Sequence, residues 1–183
     1  MTLNDWYEKA MAAQTYINNM TKNKDELLSI YERFQVNADD EAKFEQLKAK
    51  NLRGIVLTED WCGDAMVNGP ILLCICEKAG IEARMLLRDQ NLELMDQYLT
   101  NGTARAIPIF IFIDEAGNEV AVWGPRAPEA QQLVDEARAK LPDEDAPDFK
   151  EKQIAMYKSF NETFTQDEQL WDRIYESIMD RLI

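Results

Sequence analysis

Residues 52–87 read as strand, helix, strand, and this run constrains the fold more than any other feature of the chain. Leu52-Arg-Gly-Ile-Val-Leu-Thr58 is short, apolar and rich in β-branched side chains, the pattern of a strand buried on both faces. A helical stretch follows over residues 62–79 and stops at Gly80, and residues 81–87 form a second apolar run. A strand that rejoins its sheet through a helix does so in parallel, with a right-handed crossover. Downstream, residues 89–100 predict a helix with Leu92, Met95, Tyr98 and Leu99 on one face, closed by Asn101-Gly102. Ile109–Ile113 is the most apolar strand, the turn Glu115-Ala-Gly-Asn118 makes a hairpin with 119–123, and Pro128 opens a helix over 128–140. The order is β-α-β-α-β-β-α over residues 52–140. Two crossovers imply parallel strands and the hairpin adds an antiparallel edge, so the expected class is α/β with a mixed sheet.

Both flanks read as helical. Leu3, Trp6, Tyr7, Ala10, Gln14, Ile17 and Met20 form one stripe, Leu27, Ile30, Tyr31 and Phe34 a second, and Phe44 and Leu47 lie on a third helix begun at Asp39-Asp40. No strand is expected before residue 52. Leu141-Pro-Asp-Glu-Asp-Ala-Pro147 marks a boundary, followed by helices over 149–164 and 167–182. Their apolar positions are Ile154, Tyr157, Phe160 and Phe164, then Leu170, Trp171, Ile174 and Ile178. A length of 183 residues suits a single unit spanning 1–183: N-terminal helices (1–51), a core (52–140) and a helical extension (141–183).

Composition removes whole classes of function. Thirty-four acids against 20 bases give a formal charge of −14, which argues against nucleic acid as a partner, because such binding draws on Lys and Arg. With no histidine there is no His-based triad or His metal site, and three cysteines alone make a poor structural zinc site. No run approaches the ~18 apolar residues of a membrane span, and the first residues lack the basic and apolar regions of a signal peptide. The odd cysteine count, with Cys74 and Cys76 only two apart, is not a disulfide framework. The chain therefore reads as cytoplasmic and reduced, without a membrane partner. Cys74 and Cys76, among Ile71, Leu72, Leu73 and Ile75, read as core packing.

The chemistry concentrates in Glu59-Asp60-Trp61-Cys62-Gly63-Asp64-Ala65, at a strand-to-helix junction. A cysteine opening a helix meets free N–H groups and the positive end of the dipole, which favour the thiolate. The neighbouring acids Glu59, Asp60 and Asp64 oppose ionisation.

Trp61-Cys62-Gly63 followed by a helix resembles the thioredoxin active site, Trp-Cys-Gly-Pro-Cys. Pro70 stands where that helix carries its kinking proline, Arg105-Ala106-Ile107-Pro108 resembles the cis-proline segment, and Trp123-Gly124 is similar to that fold's strand-end Val-Gly. Asp89-Gln90-Asn91 after the second strand also matches, and the resemblance covers 52–140. It implies a thioredoxin-like three-layer fold. It also implies Cys62 as nucleophile, the Gly63 and Asp64 amides supporting the thiolate, Trp61 shielding it, and Ile107 and Pro108 orienting a substrate. The pattern is broken at decisive places: Ala65 replaces the resolving cysteine, Asp64 the motif proline, and Val56 the buried acid that assists proton transfer. Exchange of a dithiol for a disulfide needs a second thiol. Cys74, twelve residues down the same helix, lies about 18 Å along the axis, whereas a disulfide needs Cα atoms within about 7 Å.

The expected function is thus single-thiol redox chemistry: Cys62 forms a mixed disulfide with a protein or low-molecular-weight disulfide, and an external thiol resolves it. No nicotinamide or flavin site is visible, so no cofactor is expected. The alternative is a redox-inactive protein that binds extended peptides or partners in the cis-proline groove; a third reading is cluster binding by a dimer sharing Cys62. Asp64 is either a helix-start acid or a proton acceptor for Cys62. Arg105 and Arg126 are expected near the same end, either as surface cations or as contacts for an anionic group. Oligomeric state is left open.

Overall fold

The computed structural model describes residues 1–183. The first helix, α1 (Leu3–Lys9), opens on a capping box between Thr2 and Asp5. A two-residue strand β1 (Met11–Ala12) leads into α2 (Ala13–Asn19), α3 (Lys24–Arg33) and, after a short 3-10 turn, α4 (Glu41–Ala49). Next come β2 (Arg53–Thr58), α5 (Gly63–Ala79), β3 (Glu82–Leu87) and the single-turn α6 (Leu92–Met95). The hairpin of β4 (Ile109–Ile113) and β5 (Glu119–Trp123) follows, then α7 (Pro128–Arg138), α8 (Phe149–Gln166) and α9 (Glu168–Leu182).

The five strands lie in the order β1-β3-β2-β4-β5. Alternation along the strands splits the interior into two cores, one on each face of the sheet. Val56, Phe110, Phe112 and Met85 face the larger core, filled by α2 to α5 and α9. Ile55, Leu57, Ile109, Ile111 and Ile113 face the smaller one with Trp6 and Tyr7 of α1 and Leu94 and Met95 of α6. The result is three layers, helices on both faces of a mixed sheet.

Three expectations need correction. The N-terminal stripe is not one helix. Ala10 is extended, and β1 pairs antiparallel with β3, Met11 opposite Met85. The reason is which face each half serves: Trp6 and Tyr7 bury in the smaller core, Tyr16 and Ile17 in the larger. The chain must cross the sheet edge between them, and a continuous helix cannot.

The second helix of the core is far shorter than residues 89–100. It stops at Asp96, whose carboxylate is held by Arg105 (2.7 and 3.0 Å), and the chain turns back so that Thr100 bridges Ala104. The third correction is strand direction. β2 and β3 are parallel, but β4 runs antiparallel to β2. The chain re-enters the sheet at the end where β3 left it, and this places Ile107 and Pro108 beside the start of α5.

In the extension, α9 buries Leu170, Trp171, Ile174 and Ile178 in the larger core. α8 buries only Phe164, and its Ile154 and Tyr157 remain exposed. The Trp171 indole donates to the Phe164 carbonyl (2.7 Å), which ties the end of α8 to α9. No helix is long and apolar enough to cross a membrane.

Candidate functional site

β2 ends at Thr58, and Glu59–Trp61 carry the chain to Cys62, the N-cap of α5. The two leading acids turn away from the thiol. Glu59 accepts the Asp89 N–H (2.9 Å), and Asp60 accepts the backbone N–H groups of Thr21 (2.8 Å) and Lys22 (3.3 Å). The expectation that three acids act on Cys62 thus reduces to one, Asp64. The Ala65 N–H donates to Cys62 Sγ (3.5 Å), and the thiol donates to the Ile107 carbonyl (3.6 Å). Burial, and then the negative charge of Asp64, push the Cys62 thiol up to about 11. The helix-start N–H groups act in the opposite sense but do not prevail.

Asp64 itself is held by Arg126 in a bidentate pair, Oδ1 at 2.8 Å from Nε and Oδ2 at 2.6 Å from a terminal guanidinium nitrogen. Burial raises the Asp64 carboxyl, and Arg126 pulls the other way. Of the two arginines expected at this end, Arg126 lines the site, while Arg105 is spent on Asp96 at the surface. Trp61 stands at the rim, 45% exposed, with the Arg88 guanidinium over its ring at 4.9 Å.

Trp61, Cys62, Gly63, Asp64 and Ile107 come together around one cavity of about 520 Å³. Pro108 does not line it. The Ile107-Pro108 peptide is cis, and Pro108 lies below, facing a small void shared with Val56 and Ala65. The Pro108 carbonyl occupies the place a Cβ on Gly124 would need, and Gly124 sits at φ +129, so only glycine fits after Trp123. Gly124-Pro125 is a second cis peptide.

A thioredoxin family model matches residues 10–138. This chain belongs to the thioredoxin family. No curated protein sequence matches it. Two solved structures share its fold over almost the whole chain. One is an HIV epitope-scaffold, 12% identical, with a TM-score of 0.67 over 97% of this chain and 96% of that one. The other is a Pseudomonas aeruginosa protein of unknown function, 14% identical, with a TM-score of 0.65 over 98% of each.

The thioredoxin match ends at Arg138, so α8 lies outside it, yet α8 supplies the far wall of the cavity through Tyr157, Phe160, Asn161 and Phe164. The contact is close: a Cβ on Gly63 would press on the Asn161 side-chain oxygen, so the glycine leaves room for the Asn161 side chain at the start of α5. Sequence reasoning missed these residues, along with Arg88 and Arg138. The half-covered apolar stripe of α8 signalled a contact, but nothing in the sequence says which surface it meets. The structure also gives Cys74 and Cys76 no disulfide; Cys76 is buried in the larger core and Cys74 packs against it.

Proposed function

We propose that this thioredoxin-family chain is a redox-silent binding protein that holds an extended segment of a partner in the groove between Ile107 and the start of α5. The observation that carries this reading is the setting of the Cys62 thiol: half-buried against the smaller core and donating to the Ile107 carbonyl, with burial and the Asp64 charge pushing its ionisation up to about 11. A protonated thiol is not the nucleophile of disulfide exchange. Ala65 provides no second thiol to release a mixed disulfide. The Ile107 N–H donates to no other backbone group of the chain, which leaves it free to pair with a bound strand.

One observation favours single-thiol redox chemistry as the second reading: Cys62 lines the cavity, with the Ala65 N–H directed at its sulfur. Glutathione disulfide separates the two. Under the binding reading, wild-type protein at pH 7 forms the mixed disulfide more slowly than free cysteine does. Cys62→Ser, which keeps a donor toward the Ile107 carbonyl, still binds peptide. Rapid, stoichiometric mixed-disulfide formation at Cys62 would overturn the binding reading in favour of redox chemistry.

A further inference from the structure

The cavity beside Cys62 carries charge opposite to that of the whole chain. The protein has a formal charge of −14, yet three arginines and one aspartate line this cavity. Two of the arginines are spent. Arg126 is saturated by Asp64 and by Gln131 (3.0 Å), and Arg88 by Asp89 (2.9 Å) and the Arg105 carbonyl (2.9 Å). Arg138, exposed on the last turn of α7, is in no ion pair, although it is close enough for its charge to act on the Asp64 carboxylate. A bare guanidinium thus stands beside an aromatic wall made by Tyr157, Phe160 and Phe164. An anionic group on an apolar body is what such a pairing complements.

The shape says how that anion arrives. The cavity that Ile107 lines is closed on the side of α5's start by α8, with the Asn161 side chain seated on Gly63. A chain that enters meets a wall, so a chain end fits better than a passing segment. We infer that the groove captures the C-terminus of a partner polypeptide, its last apolar side chain in the aromatic part of the cavity and its terminal carboxylate on Arg138. This rests on the binding reading above and adds the chemistry that is recognised.

Three peptides test it by calorimetry and by the NMR shift of the Trp61 indole N–H: acetyl-Ala-Ser-Ala-Val-Phe as the free acid, the same peptide as the C-terminal amide, and the same residues continued by Gly-Ser-Gly-amide. The inference expects the free acid to bind at least tenfold more tightly than the other two. Arg138→Gln, at an exposed position that the fold does not need, is expected to cut that preference below threefold. Equal binding of all three peptides would overturn end recognition while leaving groove binding intact. An acid preference that survives Arg138→Gln would overturn the assignment of the carboxylate site. No binding by any of the three would remove the binding reading itself, and this inference with it.

Discussion

The ionisation of Cys62 decides more about this protein than any other single property. Consider a Cys74→Ala/Cys76→Ala background, in which Cys62 is the remaining thiol. With its ionisation pushed to about 11, roughly one molecule in 10⁴ carries the thiolate at pH 7. A free cysteine near 8.5 carries about 3%. The deficit is therefore about 300-fold, and the greater intrinsic nucleophilicity of a more basic thiolate returns only about tenfold of it. Cys62 should react with a small disulfide some tens of times more slowly than free cysteine, before any hindrance from α8. Iodoacetamide alkylation followed by mass spectrometry between pH 6 and 10 should show a rate that climbs tenfold per pH unit with no plateau. Asp64→Asn removes the second cause of the shift, and its profile should move to lower pH. A wild-type plateau with a midpoint below 8.5 would refute the reasoning, because it would mean that the N–H groups of the helix start outweigh burial and the Asp64 charge together.

Gly63→Ala sets a methyl group against the Asn161 side-chain oxygen, which can turn aside on its own side chain, so iodoacetamide labelling of Cys62 should stay near the wild-type rate; a large acceleration would mean that α8 itself had moved. Arg126→Ala strands the Asp64 carboxylate, whose side chain is only 12% exposed, and should cost about 2–4 kcal/mol in urea unfolding, with much of the loss recovered in Asp64→Asn/Arg126→Gln. Stability should fall as pH rises from 9 toward 11. Cys62 and Cys76 ionise near 11 and 12 in the folded protein but near 9 when unfolded, so over that window the native state holds protons that the unfolded chain has lost. Each such thiol removes up to about 1.4 kcal/mol per pH unit, a slope that thermal melts of Cys62→Ala and Cys76→Ala should each reduce.

The core was legible because its signals are local. The stop at Gly80, the apolar run of β4, the hairpin turn and the proline opening α7 each follow from neighbouring residues, and the elements stand within two residues of their expected places. What failed was relational. Residues 3–20 carry a good helical stripe, and nothing local says that its two halves belong on opposite faces of a sheet. Residues 89–100 have helical periodicity, but the helix ends at Asp96, which pairs with Arg105 from beyond the segment as the chain turns back at Thr100. The direction of β4 depends in turn on which end of the sheet the residues between α6 and β4 return to, and no local pattern states it. At the site, Trp61 to Asp64 and Ile107 came together around one cavity, because motif spacing encodes the strand-to-helix turn. The α8 wall was invisible: its residues reach Gly63 across about a hundred positions of sequence, and a half-buried aromatic stripe carries no address.

The departures from the thioredoxin pattern form one coherent change, not several independent losses. Disulfide exchange asks for an ionisable sulfur, a second sulfur to expel the product, a buried acid to move protons, and access for the substrate disulfide. Ala65 and Val56 stand at the second and third of these places, and both line the small apolar void above Pro108. Reintroducing an acid at Val56 alone would bury an unpaired carboxylate, and a cysteine at Ala65 alone would face a thiol that stays protonated. At the fourth, α8 forms one wall of the cavity that Cys62 lines and adds aromatic surface to it. The aromatic side chains of α8 supply apolar area for a bound ligand, beside the exposed guanidinium of Arg138. Under the proposed binding reading, α8 laid across the start of α5 thus serves the ligand rather than the thiol, by adding aromatic surface to the cavity that Cys62 lines.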